Sequence, residues 1–123
     1  MLRASLYAVA AFAVAAVVVA GGASAGRSST PTLVGTDGPG FTIDLKLDGK
    51  AVKTLKAGTY TVVIHDKAAV HGWSLDGPHG FAKDIAAVPF TGTKTMTLTL
   101  KAGAYKFYCP AHEATMFGRF TVK

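Results

Sequence analysis

The sequence predicts an all-β fold, an antiparallel sandwich or barrel, and three observations carry that expectation. Short stretches alternate apolar and polar residues with the period of two that marks a half-buried strand. Turn signals containing glycine or proline separate them. No long helical period runs through the chain after its N-terminal segment.

Phe41, Ile43, Leu45 and Leu47 alternate with Thr42, Asp44 and Lys46, which predicts a strand, and Asp48-Gly49 predicts a turn after it. Tyr60, Val62 and Ile64 alternate with Thr61, Val63 and His65 as a second strand, and Gly72 to Leu75 reads as a short third. Residues 76–92 hold Gly77, Pro78, Gly80 and Pro89 and show no clean period, so a long irregular connection is expected, with a short helix at Ala82–Ala87. Thr93, Thr95, Thr97 and Thr99 alternate with Lys94, Met96, Leu98 and Leu100. Tyr105, Phe107 and Cys109 alternate with Lys106 and Tyr108, and Gly118 to Val122 forms a last strand. Trp73, Tyr105, Phe107 and Phe120 are assigned to the core, and Glu113 and Arg119 to solvent. Leu55-Lys56-Ala57-Gly58-Thr59-Tyr60 is echoed by Leu100-Lys101-Ala102-Gly103-Ala104-Tyr105, which reads as recurring turn chemistry.

The N-terminal segment reads differently. Arg3 is its only early charge, the chain is almost wholly apolar from Ala4 to Ala20, and Ala23-Ser24-Ala25 fits a small-x-small cleavage site. Residues 1–25 are therefore expected to be a secretory signal peptide, and residues 26–123 one domain. The alternative is an uncleaved membrane anchor, since about 17 apolar residues lie at the short edge of a spanning helix. Either reading places the domain outside the cytoplasm, periplasmic or secreted. Residues 26–32 read as a flexible leader. The formal net charge of +6 comes from scattered basic residues with no Lys/Arg run or Arg-aromatic cluster. Nucleic acid is therefore not an expected partner, whereas long-range attraction to acidic partners is. A monomer is expected.

Cys109 is the one cysteine, so an exported chain would leave it as a free thiol, an intermolecular bridge or a metal ligand. It opens the pattern Cys109-Pro110-Ala111-His112-Glu113-Ala114-Thr115-Met116, which puts a thiol, an imidazole and a thioether on one loop between two strands. Those donors suit a soft or borderline metal, and two His with one Cys and a weak axial Met make a blue-copper site. The missing imidazole is assigned to His71, which enters the short strand at Trp73. His65 at a strand end and His79 in the Gly77-Pro78-His79-Gly80 turn are the alternatives.

The segment from Tyr105 to Phe120, with Met116-Phe117-Gly118-Arg119-Phe120 closing it, resembles the copper loop of the cupredoxins, the plastocyanin, pseudoazurin and amicyanin group. The resemblance extends in order and spacing over most of residues 32–123. It implies a Greek-key β-sandwich that holds one type 1 copper ion through His71, Cys109, His112 and Met116. It also implies a solvent-edge His112 ringed by Pro78, Pro110 and Phe117. Family members often carry Asn after the first His, where this chain has Gly72, so a bond bracing the loop is expected to be missing.

The function this implies is single-electron transfer between redox partners, one of them with an acidic docking surface. The alternative is copper delivery, storage or sensing. An enzyme is not expected, because no His-x-His pair, paired catalytic carboxylates, Ser-His-Asp order or phosphate-cradling glycine loop occurs.

Overall fold

The computed structural model describes residues 29–123. The expected signal peptide, residues 1–25, lies outside them. Among the described residues there are ten strands and no helix. They are β1 (Thr32–Asp37), β2 (Ile43–Leu47), β3 (Lys50–Ala51), β4 (Thr54–Leu55), β5 (Gly58–Asp66), β6 (Trp73–Asp76), β7 (Ala82–Ala86), β8 (Gly92–Leu100), β9 (Gly103–Tyr108) and β10 (Phe117–Val122).

The strands form two five-stranded sheets, β3-β2-β1-β5-β8 and β4-β10-β9-β6-β7. Most pairs are antiparallel, but β1 runs parallel to β5 and β4 parallel to β10, so both sheets are mixed. The expected sandwich is thus present, with two parallel pairs that alternation within single strands could not reveal.

Alternation places the core between the sheets. In β5, Tyr60, Val62, Ile64 and Asp66 point inward; in β9, Tyr105 and Phe107 do. Trp73 is fully buried and stacks on Phe107, with ring centroids 5.4 Å apart and planes 4° apart. Phe120 continues the row onto Tyr105, stacked at 5.1 Å. The indole N–H donates to the Asp44 carbonyl at 3.1 Å, so burying Trp73 leaves no unpaired donor.

The repeated Leu-Lys-Ala-Gly segment has a physical role. The Tyr60 hydroxyl donates to the Lys56 carbonyl at 2.7 Å, and the Tyr105 hydroxyl to the Lys101 carbonyl at 2.8 Å. Each tyrosine fills the core with its ring and ties down the turn four residues before it. At Asp48-Gly49 both residues have positive φ, 50° and 76°, as a tight two-residue hairpin between β2 and β3 requires.

Three local expectations are corrected. Residues 82–87 are not helical: Ala82–Ala86 is the edge strand β7, paired with β6 from Trp73↔Ala86 to Asp76↔Ala82. Ala-Lys-Asp-Ile-Ala has fair helix propensity, but pairing with β6 and burial of Ile85 and Ala86 outweigh a preference of tenths of a kcal/mol per residue. Strand β1 was not expected, because its inward residues are Leu33, Gly35 and Asp37, a set that does not read as an apolar stripe. Phe41 does not belong to the β2 stripe; it precedes the strand and is 67% exposed.

Gly35 is required for space rather than for backbone freedom. A Cβ there would lie 2.5 Å from Ile64 Cδ1 and 2.9 Å from the Trp73 ring. Gly35→Ala is expected to destabilise the fold by about 1–3 kcal/mol, the usual range for overpacking. In urea the midpoint falls and the slope of the transition is retained.

Candidate metal centre

Cys109 directly follows β9 and Met116 directly precedes β10, so the loop between them starts and ends on paired strands. The loop also closes on itself. The Cys109 N–H donates to the Met116 carbonyl at 2.9 Å, and the His112 N–H to the Cys109 carbonyl at 3.1 Å. The Met116 and Thr115 N–H groups both donate to the His112 carbonyl, at 2.8 and 3.0 Å. Pro110 cannot donate a backbone hydrogen bond and restrains the first step of the turn. The loop's shape is thereby set by the chain itself.

His71 reaches the same place from 38 residues upstream of Cys109. Strand β6 pairs antiparallel with β9, Ser74 opposite Tyr108, so the residues before β6 lie beside those after β9. The turn that carries the imidazole is held by three bonds. The Lys67 N–H donates to the Asp37 carbonyl at 3.0 Å, the Ala68 N–H to Asp66 Oδ1 at 3.1 Å, and the His71 N–H to the Ala68 carbonyl at 3.0 Å.

Three donor atoms meet there. His71 Nδ1 lies 3.2 Å from His112 Nδ1, Cys109 Sγ lies 3.6 Å from His112 Nδ1, and Cys109 Sγ lies 3.9 Å from His71 Nδ1. A triangle with these sides has a circumradius of about 2.1 Å, close to the nitrogen–metal and sulfur–metal distances of a first-row ion, about 2.0–2.3 Å. The three atoms are therefore spaced to bind one ion together. His71, Cys109 and Met116 are buried and His112 is half-buried. Met116 is fully inaccessible and follows His112 by one tight turn, but the His/Cys triangle is defined without it. A trigonal His2Cys set with a thioether close by suits copper better than zinc, whose sites use N, O and thiolate donors.

The alternative imidazoles are elsewhere. His65 is on β5 with its Nδ1 3.1 Å from Thr93 Oγ1, and His79 is exposed in a turn at φ 57°. Pro78 is not at the rim. It packs where a Cβ on Gly103 would be, at the start of β9, while Cys109 follows the other end of that six-residue strand. At about 3.3 Å per residue the two sites are close to 20 Å apart along the strand.

Phe41 takes the rim position instead, and no signal in the sequence separates it from the β2 stripe. Its ring meets those of His71 and His112 edge-on, with centroids 5.5 and 5.0 Å away and planes at 68° and 87°. Val88 and Pro110 lie against Gly72, with Val88 Cγ2 3.2 Å and Pro110 Cδ 3.4 Å from the position of a Cβ there. Phe117 is 44% exposed, with the Lys106 ammonium 5.1 Å and the Arg119 guanidinium 5.6 Å from its ring centre.

Gly72 has a steric cause. A Cβ at this position would lie 2.6 Å from the Ala86 carbonyl oxygen, a backbone atom of β7. The close approach of β7 takes the room that a bracing Asn would need. Gly72→Asn is therefore expected to destabilise the protein by about 1–3 kcal/mol rather than strengthen the site, measured by urea unfolding.

No protein-family model matches this sequence, and no curated protein sequence does. Solved structures share its architecture. Rusticyanin, a copper protein, superposes with a TM-score of 0.57 at 20% identity over 76% of this chain and 78% of that one. Reduced rusticyanin gives 0.55 at 26% identity over 76% and 79%. Auracyanin A, a "blue" copper protein from the green thermophilic photosynthetic bacterium Chloroflexus aurantiacus, gives 0.52 at 21% identity over 75% and 98%. Together the donor triangle and this architecture follow the plan of those blue copper cupredoxins, a two-sheet sandwich in which His71, Cys109 and His112, with Met116 in the same loop, fit a single type 1 copper ion.

Proposed function

We propose that this protein carries single electrons between redox partners outside the cytoplasm, through one type 1 copper held by His71, Cys109, His112 and Met116. The observation that carries the reading is the triangle of Nδ1, Nδ1 and Sγ, whose sides of 3.2, 3.6 and 3.9 Å surround one ion. Copper bound there cycles between Cu(I) and Cu(II), and so takes up and gives back one electron.

The residues contribute fixed geometry. Cys109 and Met116 are anchored at strand ends, and His112 is held by the hydrogen bonds of its own turn. Donors held this firmly move little when the charge at the site changes, which keeps the barrier to transfer low. Cys109 would hold the ion as a thiolate, and His71 and His112 would hold it through the Nδ1 atoms that face the sulfur. Met116 would add a thioether, a weak donor that would help set the potential. His71, Cys109 and Met116 are themselves buried, which keeps water from the inner side of the site.

The rim supports brief docking. Phe41, Val70, Val88 and Phe117 are exposed apolar side chains, and Phe41 touches both imidazoles. Arg119 stands on β10 beside Phe117, opposite Lys106, whose ammonium is paired with Glu113 at 2.8 Å, so at this edge Arg119 favours a partner with acidic groups. Transient redox encounters bury less than about 1,200 Å², within reach of such a patch. The basic, apolar N-terminal segment supports export.

An absorption spectrum tests the reading. With one equivalent of Cu(II) the protein is expected to turn intensely blue, to bleach on reduction and to recover on reoxidation, while Cys109→Ser stays colourless. Colourless binding of Cu(I) that a chelator removes readily would instead indicate delivery or storage. A second measurement is thermal unfolding. Copper present at about 100 times its dissociation constant stabilises the native state by about 2.7 kcal/mol and raises the melting temperature, and His71→Ala abolishes most of that rise.

A further inference from the structure

Strands β1 and β5 run parallel, and their registered partners at the end nearest the metal loops are Asp37 and Asp66. Both side chains face inward and are buried, at 0% and 2% exposure. Neither oxygen of Asp37 nor Oδ2 of Asp66 meets any N–H or O–H donor. Paired strands lie about 4.8 Å apart, so carboxyls at the same register on the same face are neighbours. Two buried carboxylates with no donors between them would repel strongly, and burying one unpaired charge already costs several kcal/mol. A proton on one of them removes a charge and supplies the missing donor.

The surroundings offer no other compensation. On β2, Asp44 and Lys46 face each other at 3.8 Å. On β8, Lys94 lies over the Phe90 ring, and Thr93 meets His65. Lys67 is exposed, and His71 Nδ1 faces His112 and Cys109. None of these groups hydrogen-bonds either carboxyl.

The pair also sits at the root of the His71 turn. Asp37 accepts the Lys67 N–H through its carbonyl, and Asp66 Oδ1 accepts the Ala68 N–H. Gly38, next to Asp37, stands so close that a Cβ there would be 3.0 Å from His71 Cδ2. We propose that Asp37 and Asp66 are positioning residues, a carboxyl pair sharing one proton, and that this buried hydrogen bond fixes the turn that presents His71. The consequence for the metal rests on the copper reading above; the shared proton does not.

The Asp37 carboxyl is pushed up from 3.8 to about 7, first by burial, then by the neighbouring Asp66 carboxylate, which can accept a hydrogen bond from the protonated form and repels the charged one. The folded chain therefore keeps a proton that the unfolded chain releases near pH 3.8. The stability this pair contributes is fully present below about pH 4, is lost through the window from about 4 to 7, and is gone above it.

The test is urea unfolding of the full chain without metal across that window, with Asp37→Asn beside it. The wild-type unfolding constant is expected to rise by up to about tenfold per pH unit between about pH 4 and 7. The Asn amide keeps a donor and carries no charge, so the variant loses that part of the slope. Hydrogen exchange at the Lys67, Ala68 and His71 amides, compared with the variant at each pH, should lose protection only in the wild type as the pH passes about 7. Should the variant fail to fold, the wild-type infrared spectrum at about pH 6 still decides, through a protonated carboxyl band where exposed carboxyls are ionised. Parallel pH profiles in the two proteins, no such band, or stabilisation by added Ca2+ exceeding that by acid would overturn the proposal. A blue protein with a flat profile sinks the pair alone, and a colourless one with the slope intact sinks the copper reading alone.

Discussion

The antiparallel register of β6 on β9 governs the site, because it decides which residues leave the sandwich side by side. Ser74 stands opposite Tyr108, so the chain entering β6 and the chain leaving β9 emerge together, the first carrying His71 and the second Cys109. Side chains alternate with a period of two, so a slip of one residue would turn Cys109 away from His71 and move Phe107 out of the core. The register is pinned from inside by the Trp73–Phe107 stack and from the other side by the Tyr108 hydroxyl, which donates to Asp76 Oδ1 at 3.3 Å. The metal ligands therefore inherit their positions from core packing.

Space is controlled as closely as contact. Gly35 clears room for Ile64 and Trp73, Gly118 for the Phe107 ring, and Gly72 for the backbone of β7. Each glycine stands where a larger residue already occupies the volume, on a strand or at the approach to one. The interior is close-packed, so a methyl group added at any of them has to displace a ring or a backbone atom. Trp73, the largest side chain of the core, is buried next to the loops that carry the ligands.

The end of the sandwich that holds the donors is also where the inward face turns polar. Asp37 and Asp66 end strands whose earlier inward residues are Leu33 and Gly35, and Tyr60, Val62 and Ile64. An apolar residue at those ends would pack well but would give the Ala68 N–H no acceptor. Phe41 closes the outer side against both imidazoles, so the site has an aromatic outer wall and a polar root under its His71 turn.

Much of this was legible in the residues. Period-two stripes in β5, β8 and β9 are local, because a strand with one wet face needs them, and the Cys-x-x-His-x-x-x-Met spacing is local because one short loop carries three donors. Phe41, β1 and β7 were not legible. Phe41 fits the β2 alternation and leaves it only because the loop folds over the imidazoles, β1 has glycine and aspartate where a stripe would show apolar residues, and β7 has helical propensity that an edge pairing overrides. By itself the sequence determined an all-β chain with soft donors gathered on one loop and an imidazole upstream, since periodicity and spacing act between near neighbours. Only the tertiary structure decided which strands run parallel, that Asp37 faces Asp66, and that the two Nδ1 atoms and the sulfur stand at the corners of one small triangle, because those distances depend on pairing between segments far apart in the chain.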